Sequence, residues 1–180
     1  ADEYTTDEDV VLMVGAAESV LANDSDDGGT LEAVLADPTQ NGTIELASDG
    51  TFTYTPDENF FGTDTFVYQA SDGNVVSDSI EVTIEVAAVN DAPVVPDASL
   101  SVSEDVPAVH ALDGTDVEDD EISYRVPTSP TLGTVTIDGD RATYRPNDGV
   151  SGEDSFGVIG SDGMDDSEEA TISVTIGASN

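Results

Sequence analysis

Apolar and polar residues alternate along many short stretches of the chain, with the period of two that is typical of β-strands. The clearest stretch is Ile-Glu-Val-Thr-Ile-Glu-Val at positions 80–86. Because successive side chains of a strand point to opposite faces, this alternation buries one face and exposes the other. The pattern predicts strands over 10–14, 30–35, 42–46, 51–55, 64–70 and 78–87, and over 107–112, 121–126, 133–138, 141–145, 154–160 and 168–176.

Turn-forming residues separate these stretches. Ser48-Asp49-Gly50 and Asp138-Gly139-Asp140 each stand between two alternating runs and predict hairpin turns. No stretch has a convincing helical pattern. About seven short strands in roughly 90 residues are typical of a β-sandwich, so the pattern predicts an all-β protein.

The two halves of the chain carry the same motif at an offset of 90 residues. The matching positions include Tyr54 and Tyr144, Gly62 and Gly152, Phe66 and Phe156, and Ser71-Asp72-Gly73 and Ser161-Asp162-Gly163. A short linker, Val89-Asn90-Asp91-Ala92-Pro93, follows the last strand of the first half, and its proline limits backbone freedom. We therefore predict two tandem β-sandwich domains, residues 1–89 and 90–180.

The charge balance excludes several classes of protein. The 180 residues include 40 Asp and Glu against 3 Arg and no Lys, for a formal net charge of −37. Such a chain is repelled by nucleic acids and by anionic membranes. It has no apolar run long enough to span a bilayer, and its first residues lack the features of a signal peptide, so we expect a mature protein or a fragment. Patterned apolar residues, at 37%, argue against disorder.

The acidic residues are clustered at the start of each half, in one loop of each half, at the Ser-Asp-Gly turn and in the linker. The loops read Asn23-Asp24-Ser25-Asp26-Asp27 and Asp116-Val117-Glu118-Asp119-Asp120. Two carboxylates separated by one residue lie on the same side of an extended segment, where both reach one Ca²⁺ ion. A single Asp in such a loop is also a common turn former, so the recurrence of the pattern carries the calcium hypothesis. The loop is not an EF-hand, because Leu35 stands where the bidentate Glu is required.

The run LANDSDD…NGTIEL…DGTFTYTPDENFFGTDTFVYQASDG…SIEVTIEVAAVNDAPV resembles bacterial cadherin-like tandem repeats, and the resemblance covers essentially the whole chain. It implies two Ig/cadherin-like Greek-key sandwiches of about seven strands each. It further implies calcium-rigidified extender repeats of a large adhesin of the RTX or biofilm type, secreted or on the cell surface of a Gram-negative, often marine, bacterium. The expected partners are neighbouring repeats of the same long chain.

The resemblance also implies particular calcium ligands. For the joint between the two domains these are Glu8, Asn90, Asp91, Asp116, Glu118 and Asp162. Asp24, Asp26 and Asp72 are the equivalents in the first domain and would serve a joint with a domain that this chain lacks. Glu104 would face a following domain.

Other functions have weaker support from the sequence. The one histidine, His110, lies in a predicted strand, and no nucleophile, phosphate-loop or zinc-protease motif occurs, so we predict no enzyme. The adjacent Phe60 and Phe61 offer a possible platform for stacking a sugar. The alternative function is therefore a carbohydrate-binding module attached to a polysaccharide-active enzyme or a biofilm protein. Homotypic adhesion between repeats is a third possibility.

Overall fold

The structure is a computed structural model that describes residues 2–26 and 29–178. The described residues form fourteen β-strands and no helix. The chain divides into two compact units, Ala1–Val89 (unit 1) and Asn90–Asn180 (unit 2). Asp27, the last residue of the first predicted acidic loop, lies outside the described residues.

Unit 1 is a sandwich of two sheets. Its strands are β1 (Asp2–Asp7), β2 (Leu12–Val14), β3 (Glu32–Asp37), β4 (Gly42–Leu46), β5 (Phe52–Pro56), β6 (Gly62–Ser71) and β7 (Ile80–Ala87). One sheet has the order β1-β7-β6-β3 and the other β2-β5-β4. All neighbours are antiparallel except β1, which pairs with β7 in parallel.

Unit 2 repeats this topology strand for strand. Its strands are β8 (Ala98–Ser103), β9 (Ala108–Ala111), β10 (Ser123–Arg125), β11 (Gly133–Asp138), β12 (Arg141–Pro146), β13 (Gly152–Ser161) and β14 (Ala170–Gly177). The sheets have the orders β8-β14-β13-β10 and β9-β12-β11, and β8 is parallel to β14. The prediction of two all-β sandwiches of seven strands each is confirmed.

Two strands were absent from the predicted set, β1 and its equivalent β8. β1 reads Asp-Glu-Tyr-Thr-Thr-Asp, in which Tyr4 is the only residue with a large apolar side chain. Such a strand is held by its parallel hydrogen bonds to a neighbour at the sheet edge, which an apolar pattern does not reveal. The predicted strand over 121–126 is shorter than expected and retains only Ser123–Arg125.

Alternating residues of the central strands fill the core of each unit, as their sequence pattern predicts. The large fully buried side chains of these strands are Tyr54, Phe66, Tyr68, Val82 and Ile84 in unit 1 and Tyr144, Phe156, Val158, Ile172 and Val174 in unit 2. Both predicted hairpin turns are present, with Gly50 and Gly139 at positive φ (82° and 57°), where glycine carries no steric cost.

Each core also contains a tyrosine–aspartate pair that the sequence motif repeats. The Tyr54 hydroxyl donates to Asp64 Oδ2 (2.9 Å), and Tyr144 donates to Asp154 Oδ2 (2.7 Å). Each carboxylate also accepts hydrogen bonds from two backbone N–H groups, those of residues 40 and 41 in unit 1 and those of residues 131 and 132 in unit 2. The repeated aspartate is thus a structural acceptor that fastens a loop to the sheet.

Candidate metal centre

The segment that follows the linker is fastened to the acidic loop of unit 2. Val94 and Thr115 exchange both backbone hydrogen bonds (2.8 and 2.9 Å), so the chain before Val94 runs alongside the residues after Thr115. As a result, the backbone N–H of Asp91 donates to Glu118 Oε2 (3.2 Å). Two parts of the sequence that were predicted to share an ion are therefore neighbours within unit 2.

Asp116 and Glu118 each accept hydrogen bonds through one carboxylate oxygen and leave the other without a donor among the described residues. Asp116 Oδ1 accepts from the backbone N–H groups of Glu118 and Asp120 (both 3.1 Å), which is the turn-forming role that the sequence left open. Asp116 Oδ2 and Glu118 Oε1 are buried, and neither accepts a hydrogen bond from any described residue. Burying a carboxylate oxygen without a donor is costly, so the loop is suited to a cation.

Asn90 connects the linker to the Ser-Asp-Gly turn. Its side-chain Nδ2 donates to Asp162 Oδ2 (3.0 Å) and to Asp165 Oδ2 (3.1 Å). Asp162 Oδ1 accepts from the backbone N–H groups of Asp165 and Met164, and these bonds lower the pKa of Asp162 below its ordinary value. Asp165 was missed in the sequence because it lies beyond the repeated triplet, yet its carboxylate shares the Asn90 amide.

Glu8 is the predicted ligand of unit 1 that lies beside the end of the last strand, β7. It is only 3% exposed, although it is a glutamate. Its backbone N–H donates to Ala87 O, and its Oε1 accepts from the backbone N–H of Val89 (2.6 Å), the last residue of unit 1. Its other oxygen, Oε2, is buried with no hydrogen-bond partner in the described parts of the chain.

Glu104 occupies the same place in unit 2 as Glu8 does in unit 1. Its backbone N–H donates to Gly177 O (2.9 Å), matching the bond from Glu8 to Ala87. Its side chain is half-buried. The repeat thus places one glutamate beside the end of the last strand in each unit.

The three remaining predicted ligands lie together in unit 1, where they line one open pocket: Asp24, Asp26 and Asp72. Asp24 Oδ2 accepts from the Tyr68 hydroxyl (2.9 Å), and Asp26 Oδ2 accepts from the backbone N–H of Gly29 (2.8 Å). Backbone N–H groups of residues 74 and 75 bind Asp72 Oδ1 and lower the pKa of this carboxyl.

Sequence reasoning missed Tyr68 as a neighbour of the acidic residues. Its alternating position on β6 marks it as a core residue, and its ring is fully buried. Its hydroxyl nevertheless reaches Asp24, as well as Asp2 Oδ2 at 3.4 Å, and Asn23 Nδ2 donates to Asp2 Oδ1 (2.6 Å). No local signal in the sequence distinguishes this tyrosine from one that is only hydrophobic.

The donor set of unit 2 suits a hard cation. Asp91, Asp116, Glu118 and Asp162 provide carboxylates and Asn90 an amide oxygen, which match the all-oxygen preference of Ca²⁺. The sequence has no cysteine and one histidine, so the softer ligands that Zn²⁺ prefers are not part of this cluster.

Phe60 and Phe61 do not form a common aromatic platform. Phe60 packs against the core of unit 1, whereas Phe61 is 41% exposed. Stacking a sugar at this position would therefore depend on the single ring of Phe61.

Among the described residues, no helix is long and apolar enough to cross a membrane.

Comparisons with known proteins agree with the fold. The family model of the bacterial Ig domain matches residues 1–85, and that of the bacterial cadherin-like domain matches residues 90–178. No curated protein matches the chain.

Three solved structures are similar to this chain to different degrees. Human mucin-like protocadherin EC1-2 is 16% identical over 99% of this chain and 96% of that chain, with a TM-score of 0.59. Human CDH23 EC21-23 is 15% identical over 97% of this chain and 67% of that chain, with a TM-score of 0.64. An endo-fucoidan hydrolase of glycoside hydrolase family 107, MfFcnA4, is 20% identical over 100% of this chain, which spans 28% of the hydrolase, with a TM-score of 0.44. With its two halves matched by these two families and its fold shared with cadherins, the chain is a tandem pair of bacterial Ig- and cadherin-like domains.

Proposed function

We propose that this tandem pair is a calcium-rigidified extender segment of a larger bacterial adhesin, secreted or displayed on the cell surface. Calcium is bound by the linker and the acidic loop of unit 2, with Glu8 of unit 1 as a further ligand, and it fixes the two domains relative to each other. Domains of these families are usually extracellular, which supports the location.

One observation carries the proposal. Three buried carboxylate oxygens, Glu8 Oε2, Asp116 Oδ2 and Glu118 Oε1, have no donor among the described residues. All three belong to residues that the sequence marks as ligands. A buried carboxylate oxygen that lacks a donor is destabilising, and a bound cation supplies the missing positive charge.

Calcium also offsets repulsion among the clustered acidic groups. Two unit charges at about 4 Å repel by about 1 kcal/mol even at the dielectric constant of water, and by more in a partly buried loop. We therefore expect calcium to raise the melting temperature and to narrow the distribution of distances within the chain.

Calorimetric titration of the chain with Ca²⁺ tests the proposal directly. Asp91→Asn and Asp116→Asn should each weaken binding, whereas Asp78→Asn, which removes an exposed carboxylate of unit 1, should not. Small-angle scattering and melting curves in calcium and in chelator then test the rigidifying role. Identical profiles in the two conditions would contradict it, as would equal weakening by all three substitutions.

A further inference from the structure

Two of the three basic residues of the chain lie on one exposed sheet face of unit 2. β12 is the central strand of its sheet and alternates along its length. Ala142, Tyr144 and Pro146 point into the core and are buried, so Arg141, Thr143 and Arg145 face outward. Both arginines are exposed. In a chain with a net charge of −37, this concentration of cations stands out.

The strands on either side of β12 complete the face with small polar residues. Arg141 lies opposite Asp138 of β11 and Thr143 opposite Thr136, while Arg145 lies opposite Thr134. On the other side, β9 contributes Val109 and Ala111. The face therefore carries two cations and one anion, with threonine hydroxyls between and beside the arginines.

Neither arginine is used within the described parts of the structure to form an ion pair. The single salt bridge found there joins the third arginine, Arg125, to Asp166 (2.6 Å). The guanidinium groups of Arg141 and Arg145 are thus available to a partner. Their Cα atoms are separated by four residues of one strand, or about 13 Å.

The corresponding face of unit 1 shows that the fold does not require these arginines. Counting back by the repeat offset of 90, threonines stand at both positions, Thr51 and Thr55. The central Thr53 lies opposite Glu45 and the exposed Met13. Two copies of one topology therefore carry outer faces of opposite charge.

We propose that this face of unit 2 binds an acidic polysaccharide, a linear chain that carries carboxylate or sulfate groups. The planar guanidinium group binds such anions through two parallel hydrogen bonds. Two arginines in line along β12 reach separate charged groups of an extended polymer, and the intervening Thr143 and Thr136 offer hydroxyls to sugar hydroxyls. The site is separate from the acidic loop and needs no metal.

The polarity of the face favours a polysaccharide over other partners. Protein interfaces have an apolar centre, and Val109 is the only large apolar side chain here. A second copy of this chain would also bring a charge of −37 into contact, whereas a polysaccharide strand contacts only a narrow strip along β12. Single-stranded nucleic acids are held by stacking on aromatic rings, which this face does not offer.

Ionic strength is part of the mechanism and of the test. At low salt the acidic surface of the whole chain repels any polyanion. At about 0.15 M the screening length falls to about 8 Å, so that distant carboxylates are screened while direct contacts to the arginines persist. Binding is therefore measured at this ionic strength and in chelator, where calcium cannot bridge carboxylates of the two partners. Failure of this test leaves the calcium proposal untouched.

Affinity electrophoresis with polygalacturonate and dextran sulfate, and with neutral dextran as a control, measures the interaction. Arg141→Thr/Arg145→Thr, which gives β12 the threonines of unit 1, should weaken binding about tenfold or more through the loss of charge-assisted hydrogen bonds. Arg125→Thr removes an arginine outside the face and should bind like the wild type.

A second pair of variants separates the local face from overall charge. Asp138→Asn removes the one acidic residue of the face and should strengthen binding, whereas Asp78→Asn changes the net charge equally and should not. Equal effects of these two substitutions would overturn the proposal, as would equal retardation by neutral dextran. Self-association of the chain that disappears in the Arg141→Thr/Arg145→Thr variant would identify a protein as the occupant and would also overturn it.

Discussion

The acidic loops of the two units start from the same position in the fold but differ in how their carboxylates are bonded. Val20 and Leu112 are both buried, and each donates its backbone N–H to the hairpin turn of the three-stranded sheet in its unit, at Gly50 O and Asp140 O. Asp24 and Asp116 follow four residues later in their respective units. These two aspartates are therefore equivalent.

Tyrosines from different strands produce the difference. In unit 1, Tyr68 of β6 donates to Val20 O (2.8 Å) and reaches Asp24 Oδ2. In unit 2, the position of Tyr68 is taken by Val158, and Leu112 O accepts instead from Tyr124 of β10 (3.2 Å). The Tyr124 hydroxyl accepts in turn from the backbone N–H of Gly114, and Asp116 Oδ2 has no donor among the described residues.

One hydroxyl group thus decides the role of a loop carboxylate. Where Tyr68 donates, Asp24 is an internal acceptor that ties its loop to the core. Where the tyrosine comes from β10, the Oδ2 atom of the equivalent carboxylate has no donor among the described residues and is available to a ligand. The acidic motif is the same in both loops, and the residue that distinguishes them lies far away in the sequence.

The largest expected effect is on calcium affinity. Asp116→Asn should weaken Ca²⁺ binding about a hundredfold, because it removes a ligand charge, and affinity in such sites depends on ligand charge. Asp24→Asn should leave the affinity of the linker site unchanged, because this carboxylate lies in unit 1 and is bonded to Tyr68. Titration calorimetry of both variants measures the difference. Equal losses would show that the two loops are not distinct in function.

Chelator provides the complementary measurement on the same variants. Without calcium, Asp116→Asn should stabilise unit 2, since it removes the negative charge at the buried Oδ2 atom that lacks a donor and keeps the oxygen that accepts from Glu118 and Asp120. Asp24→Asn should destabilise unit 1, since it weakens the acceptor of the Tyr68 hydroxyl. Urea unfolding, followed through resolved NMR signals of each unit, reports the two effects separately. Destabilisation by Asp116→Asn in chelator would mean that its carboxylate is satisfied without an ion.

The next effect concerns the tyrosine hydroxyls. Tyr68→Phe should destabilise unit 1 by about 2 kcal/mol, because its single hydroxyl proton lies between the carbonyl of Val20 and the carboxylate of Asp24, and hydrogen bonds to charged groups are the stronger ones. Tyr124→Phe should cost unit 2 about 2 kcal/mol as well, because it removes two neutral hydrogen bonds, the one donated to Leu112 O and the one accepted from the N–H of Gly114. The same urea experiment, in chelator and with Asp24→Asn added, separates the two cases: Asp24→Asn should reduce the cost of Tyr68→Phe and leave the cost of Tyr124→Phe unchanged. A cost of Tyr68→Phe that Asp24→Asn does not alter would remove the special role assigned to Tyr68.

A smaller effect is expected at Gly114, where the absence of a side chain allows the Tyr124 hydroxyl of β10 to approach the backbone. A Cβ at this position would overlap the Tyr124 hydroxyl and crowd Ile122, while a Cβ at Gly15 of unit 1 would meet open space. Gly114→Ala should therefore destabilise unit 2 by about 1.5 kcal/mol, within the range for overpacked sites, and Gly15→Ala should change unit 1 by less than about 0.5 kcal/mol. Comparable values for the two variants would show that Tyr124 adjusts without cost.

The sequence predicts the parts of this comparison that depend on neighbouring residues. Alternation and turn residues are local, and they predict the all-β sandwich class and most strands. The acidic loops are also local, because Asp116 and Glu118 are two residues apart. The hydrogen-bond state of each carboxylate instead depends on Tyr68, which is 44 residues from Asp24, and on the choice between β6 and β10. The edge strand β1 is not predicted for a related reason. It has few apolar residues, and its hydrogen bonds to the distant strand β7 hold it in the sheet.

The smallest expected effect is on the acid stability of unit 2, through Asp154. Desolvation raises the pKa of this carboxyl, but hydrogen bonds from the backbone of Thr131, the Tyr144 hydroxyl and the backbone of Leu132 outweigh it, so the pKa lies below its ordinary 3.8. A carboxyl whose pKa is lower in the folded state stabilises the fold above the unfolded pKa, and this contribution is lost as the pH falls through the folded pKa.

The urea midpoint of unit 2 should therefore decrease as the pH is lowered below about 4, partly because of Asp154. Asp154→Asn should lower the midpoint at neutral pH and reduce its pH dependence in this range. Tyr144→Phe should reduce the dependence less, because it removes one of the donors that lower the pKa and leaves the backbone N–H groups in place. If both variants keep the full pH dependence of the urea midpoint, this dependence arises from other carboxylates. The tyrosine–aspartate pair would then fasten its loop without contributing to the pH dependence.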